Sequence, residues 1–204
     1  MAALSDFHRY VSPEAKDAPV NAIDNALLFC LAEFCQEVKL WRVKHEVTDV
    51  LEVSNSYDLS SVLPPNTAIA EVVMCFWDGE LLSKEQESER FSSIPGLPTS
   101  FGMSGTSTIA LNPPAQQAGT LTAVIAVKPI PGCDTVDDAL LNDWAEAISH
   151  GAIYRLQAQP EKPWSANAAE YHRAEYFRLQ SIAARQTLNG RLDSGRSTRS
   201  RSYN

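Results

Sequence analysis

The sequence has few cysteines and no long apolar run. The chain has four cysteines, Cys30, Cys35, Cys75 and Cys133. They form no C-x-x-C pair, and three of the four lie in apolar stretches. We therefore predict buried, reduced thiols rather than a disulfide framework. No stretch approaches the ~18 apolar residues that span a bilayer, and the first residues lack the charged start and apolar run of a signal peptide. These absences predict a protein that is made and used in a cytoplasm.

Motifs for phosphate binding and nucleophilic catalysis are also missing. There is no G-x-x-x-x-G-K-[ST] loop and no G-x-G-x-x-G segment. The stretch "GMSGTS" at 102–107 does not fit the G-x-S-x-G elbow of hydrolases. Asp137 and Asp138 fall in a predicted first helical turn, where the helix dipole favours the charged carboxylate over an acid–base role. We therefore predict no enzymatic activity and no cofactor.

The histidines do not form a metal signature. The four of them are far apart in sequence, without a His or Cys partner at metal-ligand spacing (His8, His45, His150 and His172). His45 occupies an apolar slot of a predicted strand, where a histidine is more often part of the sheet than a ligand. We predict no metal site.

Positive charge is scarce until the end of the chain. The formal net charge is −8 over 204 residues, and the stretch 191–204 holds four arginines and one aspartate. That stretch carries +3, so the residues before it carry −11. Such a body should repel duplex DNA, because proteins gain duplex affinity largely by neutralising phosphates with Lys and Arg. A nucleic-acid-binding protein is therefore a weak alternative.

The hydrophobic period changes twice along the chain. It is helical at both ends and alternates in the middle. This pattern predicts an α+β fold: a helical bundle (1–39 and 132–189), an inserted small antiparallel β-sheet domain (40–131) with a long surface loop at 83–105, and an extended, flexible, basic C-terminal tail (190–204).

Local signals refine the helices. The first has an apolar stripe at three- and four-residue steps, formed by Val20, Ile23, Leu27, Leu31, Phe34 and Val38. Before it, one helical turn would be anchored by Phe7 and Tyr10. Thr135 lies three residues before Asp138, and this pair resembles a capping box at the start of the second long helix. Ser165 is a predicted cap for the last helix, which should end near Gly190.

Alternation predicts four strands. They cover 41–53, 67–77, 106–111 and 120–130, with a tight turn at 78–80. The segment "NPPAQQAG" at 112–119 should join the last two strands as a loose hairpin.

Aromatic residues near the last helix are candidates for contacts between subunits. Trp164 in "EKPWS" either fills the hinge of a helical hairpin or anchors a neighbouring subunit, since Trp is enriched in such interfaces. Tyr171, Tyr176 and Phe177 present the same choice between core and interface. We take Trp164 and Tyr171 as the candidate subunit-interface residues.

Three stretches resemble the head-to-tail adaptors of tailed bacteriophages, also called connector, gatekeeper or tail tubular A-like proteins. "ALLFCLAEFCQEVKLW" is similar to their first helix and the strand after it, and "GTSTIALNPPAQQAGTL" to a middle hairpin. "LLNDWAEAISHGAIYRLQAQPEKPWSANAAEYHRAEYFR" is the most specific stretch, with Gly-Ala-x-x-Arg-Leu followed by Pro-x-Lys-Pro-Trp-Ser. Together they cover most of residues 20–185.

The resemblance implies a structural virion protein of the neck. About twelve copies would form a closed ring under the portal through head-to-tail contacts. The ring would extend the DNA channel, pass duplex DNA without sequence-specific binding, and provide a docking platform for the tail nozzle or tube. The β domain and its long loop would face the tail or the neighbouring copy. Acids around 137–146 or 85–89 are candidates for the channel wall.

In such adaptors the C-terminal extension docks into the portal protein, and this gives the basic tail a role. The candidate portal-binding residues are Arg191, Arg196, Arg199, Arg201 and Tyr203. A flexible segment can order on binding, and its arginines can pair bidentately with carboxylates. The alternatives are a disordered solubilising tail or a DNA-binding tail.

Other function classes remain open from the sequence. The nearest is another tail or neck component, such as a tail completion protein, that does not bind the portal directly. A small enzyme with an unrecognised site is a further alternative, which a turnover screen would test.

Overall fold

A computed structural model describes residues 1–50, 56–85, 94–166 and 168–193, without the side chains of 47–50 and 189–193. The chain divides into two compact units. The helical unit comprises Met1–Leu40 and the chain from Asp134 onward, and the β unit comprises Trp41–Cys133. Helices and small antiparallel and mixed sheets together confirm the α+β class. The domain boundaries that we expected at 39/40 and 131/132 stay predictions.

The helical unit is built from helices and two very short strands. In chain order its described elements are β1 (Ala2–Ala3), a 3-10 turn (Leu4–Phe7), α1 (His8–Val11), α2 (Val20–Val38), β10 (Thr135–Val136), α3 (Asp138–Gln157) and α4 (Ala169–Asp193). Strand β1 pairs antiparallel with β10. Each of α2, α3 and α4 contacts the other two.

Helix α2 follows its predicted stripe except at its first residue. The other five stripe residues are buried (Ile23, Leu27, Leu31, Phe34 and Val38). The prediction was wrong for Val20, which is 62% exposed because it lies in the first turn, before the helix meets its neighbours. In the preceding turn Phe7 is fully buried, as predicted, whereas Tyr10 is exposed and is not an anchor.

Helix α3 starts differently from the predicted capping box. Thr135 and Val136 belong to β10, and the N-cap is Asp137, whose carboxylate accepts a hydrogen bond from the backbone N–H of Ala139 at 2.9 Å. Asp137 is favoured because a short acceptor side chain at the N-cap satisfies an otherwise unpaired helical N–H. Pairing with β1 fixes the two residues before it as strand.

The predicted ends of α4 also need correction. The helix begins at Ala169, and the Ser165 hydroxyl instead donates to the carbonyl of Gln157, in the connection between α3 and α4. At the other end the helix passes through Gly190 to Asp193. A glycine weakens a helix by only about 1 kcal/mol, which its neighbours can offset. The tail that we predicted from 190 therefore starts no earlier than 194, and residues 194–204 lie outside the described residues.

The β unit holds eight described strands rather than the four that we predicted. They are β2 (Arg42–Val50), β3 (Ser56–Asp58), β4 (Thr67–Trp77), β5 (Glu80–Leu81), β6 (Ser83–Lys84), β7 (Ser100–Met103), β8 (Thr108–Asn112) and β9 (Gly119–Pro129). The four additional strands have two to four residues, too few to show a period in the sequence.

These strands form two sheets. One has the order β2-β9-β4-β5 and is antiparallel throughout. The other has the order β3-β8-β7-β6, with β6 and β7 parallel. The predicted hairpin at 112–119 was wrong, because β8 and β9 lie in different sheets and 112–119 carries the chain from one sheet to the other.

Residues 83–105 are not one long loop. The range begins in β6 and contains β7, where Ser100 and Phe101 are buried. The polar composition of this range did not indicate strands. They form nevertheless, because strand pairing is made by backbone hydrogen bonds, here between β7 and its neighbours β6 and β8. Residues 86–93 lie outside the described residues.

Candidate assembly surfaces

The helical unit exposes an aromatic side chain beside a groove formed by α2 and α3. Phe29 is 65% exposed and lines this groove together with Ala22, Tyr154 and Pro160. Arg155 lies in the same groove and forms an ion pair with Glu33. Sequence analysis missed Phe29, although the signal was present. Phe29 falls off the predicted apolar stripe, so the helical period turns it away from the core.

Trp164 lies at the corner between α3 and α4. Its side chain is half-buried, and its Nε1–H donates to Oε1 of Gln159, a residue that also lines the Phe29 groove, at 3.3 Å. The Lys162 ammonium lies 5.9 Å from the ring centroid. The residue thus contacts its own turn and still presents part of its ring to solvent. Both interpretations from the sequence, hinge and interface anchor, fit this geometry, and the interface role stays a prediction.

The aromatic residues of α4 divide between core and surface. Tyr176 is 2% exposed, whereas Tyr171 and Phe177 are 61% and 42% exposed. The Tyr171 ring packs edge-on against His172, with centroids 5.3 Å apart, and Arg173 lies 5.9 Å from the Phe177 ring centroid. The exposed face of α4 therefore combines aromatic rings with cationic groups. The role of Tyr171 at a subunit interface stays a prediction.

Two histidines that are distant in sequence meet beside Tyr171. Their Nδ1 atoms lie 2.8 Å apart, between His150 on α3 and His172 on α4. Burial, together with the charge of His150, lowers the pKa of His172. At this distance one ring must donate and the other accept, so the pair holds together while at least one Nδ1 is unprotonated. Nothing in the sequence spacing indicated this pair.

The remaining histidines and the cysteines have structural positions. His8 Nε2 lies 2.6 Å from the Asp24 carboxylate, and His45 is part of strand β2. The four cysteines are buried and are not joined in disulfides. Burial raises the pKa of the Cys30 thiol to about 12. Within the described residues, no three or more His, Cys, Asp or Glu side chains are arranged to hold a metal ion.

The predicted portal-binding residues are only partly covered by the structure. Arg191 belongs to the last turn of α4, while Arg196, Arg199, Arg201 and Tyr203 lie outside the described residues. Their role therefore stays a prediction. In the described part of the chain, no helix is long and apolar enough to cross a bilayer.

The β unit contains a cleft that the sequence did not reveal. Trp77, Gly96, Leu97 and Pro98 line it, together with the neighbouring Gln116 and Gln117. Trp77 is 2% exposed, and its buried Nε1–H has no hydrogen-bond partner among the described residues. The cleft depends on the crossing of 112–119 between the two sheets, so no local pattern could have predicted it.

The chain matches a family model described as SU10 adaptor protein over residues 3–201. This match covers both units and includes all three stretches on which the resemblance rests. No curated protein matches the sequence.

Proposed function

Because the chain belongs to the SU10 adaptor protein family, a family of phage head-to-tail adaptors, we propose that it joins the portal to the tail in the neck of a virion. In this proposal it forms a ring under the portal, extends the DNA channel and provides the platform on which the tail docks. The observation that carries the proposal is the family match over 3–201. A family of structural phage adaptors also implies a role that is not enzymatic.

The surface of the helical unit supports a ring. A closed ring of about twelve copies needs two different, complementary patches on each subunit, because head-to-tail contacts are heterologous. The helical unit offers two aromatic patches: Phe29 with the neighbouring Trp164, and Tyr171 with Phe177. Aromatic side chains dominate the binding energy of many interfaces. We infer that Trp164 and Tyr171 contact neighbouring copies.

The basic C-terminal segment is the proposed portal contact. In this proposal the helical unit acts as a bundle that carries a flexible extension beyond Asp193. That extension orders on the portal, where Arg196, Arg199 and Arg201 pair with carboxylates. Arg191, at the end of α4, and Tyr203 complete the contact. The net charge of −11 on the residues before 191 suits a channel through which duplex DNA slides, because an acidic wall does not hold phosphates.

The test uses the portal ring and two variants of the full chain. One ends after Asp193, where α4 ends; the other replaces Arg196, Arg199 and Arg201 with glutamine and keeps the length. Electron microscopy of each mixture should show a second ring under the portal with the unaltered chain only. If the truncation assembles as well as the full chain, the helical unit carries the portal contact and the proposed role of the extension is wrong.

The charge variant separates electrostatic pairing from simple chain length. If it assembles normally while the truncation does not, Tyr203 or the backbone carries the contact rather than the arginines. If the unaltered chain does not bind the portal but binds an isolated tail component, it is a tail completion protein, and the adaptor proposal fails.

A further inference from the structure

The histidine pair lines a pocket of the helical unit. Tyr10, Glu14, Glu146, His150 and His172 contribute side chains to this pocket, whose volume is about 410 Å³. His172 is 6% exposed, and its Nε2 forms no hydrogen bond with the described residues. This nitrogen is not one of the partnerless side-chain atoms that are closed to solvent. It therefore keeps some accessible surface, on a ring that lines the pocket.

The hydrogen bond between the two rings determines what this nitrogen can do. Burial, and next the charge of His150, lower the pKa of His172, which favours the neutral ring with one N–H. The Nε2 of His150 lies 4.0 Å from the Glu146 carboxylate, which favours a proton on that nitrogen. We therefore assign Nδ1 of His150 as the acceptor and Nδ1 of His172 as the donor. In this arrangement Nε2 of His172 is a mostly buried acceptor without a donor.

The charged groups at the pocket favour a cation. Glu14 and Glu146 line it, and none of its described lining residues is a lysine or arginine. Glu14 opposes the lowering of the His172 pKa, and its carboxylate has no hydrogen bond or ion pair with the described residues. Arg178 interacts with Glu146, but it is held by Glu175 at 2.7 Å. An acceptor beside an unpaired carboxylate is best satisfied by a positive group with several N–H donors.

The aromatic rings at the pocket favour a flat cation. Tyr10 lines the pocket and is 40% exposed. Tyr171 packs edge-on against His150 and His172, with ring centroids 6.0 and 5.3 Å apart. A guanidinium group is planar and stacks on aromatic faces, whereas an ammonium group is a compact, strongly hydrated charge. The pocket therefore fits an arginine side chain better than a lysine side chain.

Arg185, in the last third of α4, is an arginine without a partner. It is exposed and forms no hydrogen bond, ion pair or aromatic contact with the described residues, whereas Arg155, Arg173 and Arg178 are each paired with a glutamate. It lies 13 residues beyond His172 on the same helix, which is about 20 Å along the helix axis. An arginine side chain is much shorter than this distance, so Arg185 can reach such a pocket only on another copy.

We propose that the pocket beside the histidine pair binds the guanidinium group of Arg185 from a neighbouring copy in the ring, with Glu14 as its ion-pair partner and Nε2 of His172 as an acceptor. The contact is heterologous, as a closed ring requires, because the pocket and the arginine are different parts of each copy. It also brings Tyr171, which packs against both histidines, to the same interface. The inference rests on the proposed function and names one contact that joins neighbouring copies.

The test exchanges the two charges in the full chain and follows ring formation on the portal. Arg185→Glu and Glu14→Arg should each raise the chain concentration needed for a ring about tenfold, because each places like charges opposite one another. The double variant should recover most of this loss. Losses that simply add in the double variant would overturn the proposal.

Lys44→Glu is the matched control, since it makes the same change of charge at an exposed residue of the β unit. It should form rings like the unaltered chain. Arg185 and Glu14 are also exposed, so circular dichroism and thermal unfolding of the isolated variants should match those of the unaltered chain.

The same rings test the geometry of the contact. Copies in a ring are related by rotation about one axis, so two groups that meet between copies lie at similar heights along that axis. Since His172 and Arg185 are about 20 Å apart along α4, this helix should lie closer to the plane of the ring than to its axis. A reconstruction with α4 parallel to the ring axis would contradict the contact.

A spectroscopic measurement tests the pocket without the ring. In the isolated full-length protein with ¹⁵N-labelled histidine, the signals that disappear in His172→Gln belong to His172. N-acetylarginine amide should shift the Nε2 signal of His172, and N-acetyllysine amide should shift it less at equal concentration. Glu14→Gln should weaken the effect of the arginine probe. An Nε2 signal that does not respond to the arginine probe would show that the pocket does not bind guanidinium.

The outcomes separate the two proposals. If the unaltered chain and Arg185→Glu form rings on the portal equally well, the contact proposed here is wrong, but the adaptor function stands. If the unaltered chain forms no ring on the portal, the adaptor proposal fails and this contact fails with it.

Discussion

In each of the two units an aromatic ring packs against a glycine. The polar atom of the ring is hydrogen-bonded in the helical unit, whereas in the β unit it has no partner among the described residues. In the helical unit, a Cβ at Gly151 of α3 would lie 2.3 Å from Cys30 Sγ and 2.8 Å from Cδ2 of Tyr176. In the β unit, a Cβ at Gly119 would lie 2.4 Å from the ring of Trp77. Both glycines are required because a side chain would occupy space that the ring fills.

The polar atoms of the two rings have opposite environments. The Tyr176 hydroxyl accepts a hydrogen bond from Gln180 Nε2 at 3.2 Å, and the Cys30 thiol beside the same glycine donates to the carbonyl of Ile148. The Trp77 Nε1–H has no partner in the described chain. The polar atoms around Gly151 are therefore paired within the fold, whereas the packing around Gly119 leaves a buried donor without an acceptor in the described chain.

The largest effect is expected from Gly151→Ala. The added methyl group meets two fully packed side chains, so we expect the free energy of unfolding to fall by about 2–3 kcal/mol, even though alanine favours the helix by about 1 kcal/mol. Urea unfolding followed by circular dichroism measures this change. In the double variant with Cys30→Ala, which removes the nearest atom, part of the loss should be recovered. A single variant as stable as the unaltered protein would show that the close approach at Gly151 is not required.

A smaller effect is expected from Gly119→Ala. Gly119 is partly exposed at the start of β9, so the Trp77 ring can shift outward and relieve some of the overlap. We expect a loss of about 1–2 kcal/mol in the free energy of unfolding, which urea unfolding measures. In the double variant with Trp77→Phe, whose smaller ring leaves more room beside position 119, part of this loss should be recovered. Losses that simply add in the double variant would show that the Trp77 ring is not what Gly119 accommodates.

The smallest effect concerns pH and the histidine pair of the helical unit. The pKa of His172 is lowered in the folded state, mainly by burial and next by His150, while Glu14 opposes the shift. The unfolded chain therefore binds a proton more readily, and the stability that the neutral ring contributes is lost as pH falls below the ordinary value of 6.5.

If both Nδ1 atoms of His150 and His172 carried a proton, neither ring could accept the hydrogen bond between them. The helical unit would then hold an unsatisfied donor, as the β unit does at Trp77 within the described residues. Thermal unfolding measured at several pH values should show a shallower loss below 6.5 in His172→Gln than in the unaltered protein. His45→Gln, in the β unit, serves as the control and should keep the original slope. An identical slope in all three proteins would contradict the shared-proton arrangement.

Long periodic elements could be predicted from the sequence, and short ones could not. Helix α2 and strand β4 agree with their predicted bounds because each repeats its period over many residues. Strands β3, β5, β6 and β7 have no such repeat. Likewise, the hairpin expected at 112–119 was wrong because strand pairing between sheets is not a local property.

The candidate surfaces divide in the same way. The adaptor family was recognisable from ordered residues, above all the stretch around "GAIYRLQAQPEKPWS", and the family match confirms it. The sequence did not show which aromatic residues of α4 are exposed. Tyr171, Tyr176 and Phe177 are similar in type, and their exposure differs because they lie on different faces of the helix.

The sequence by itself determined the α+β class, the extent of helix α2 and strand β4, the charge contrast between the body and the C-terminal segment, and the family. Hydrophobic period, charge and motif are properties of residues in order, so they need no knowledge of neighbours. Only the tertiary structure decided that Gly151 admits Tyr176, that His150 meets His172, and that the buried donor of Trp77 has no acceptor in the described chain. Each of these depends on distances between side chains far apart in the chain, and the packing of all elements together sets those distances.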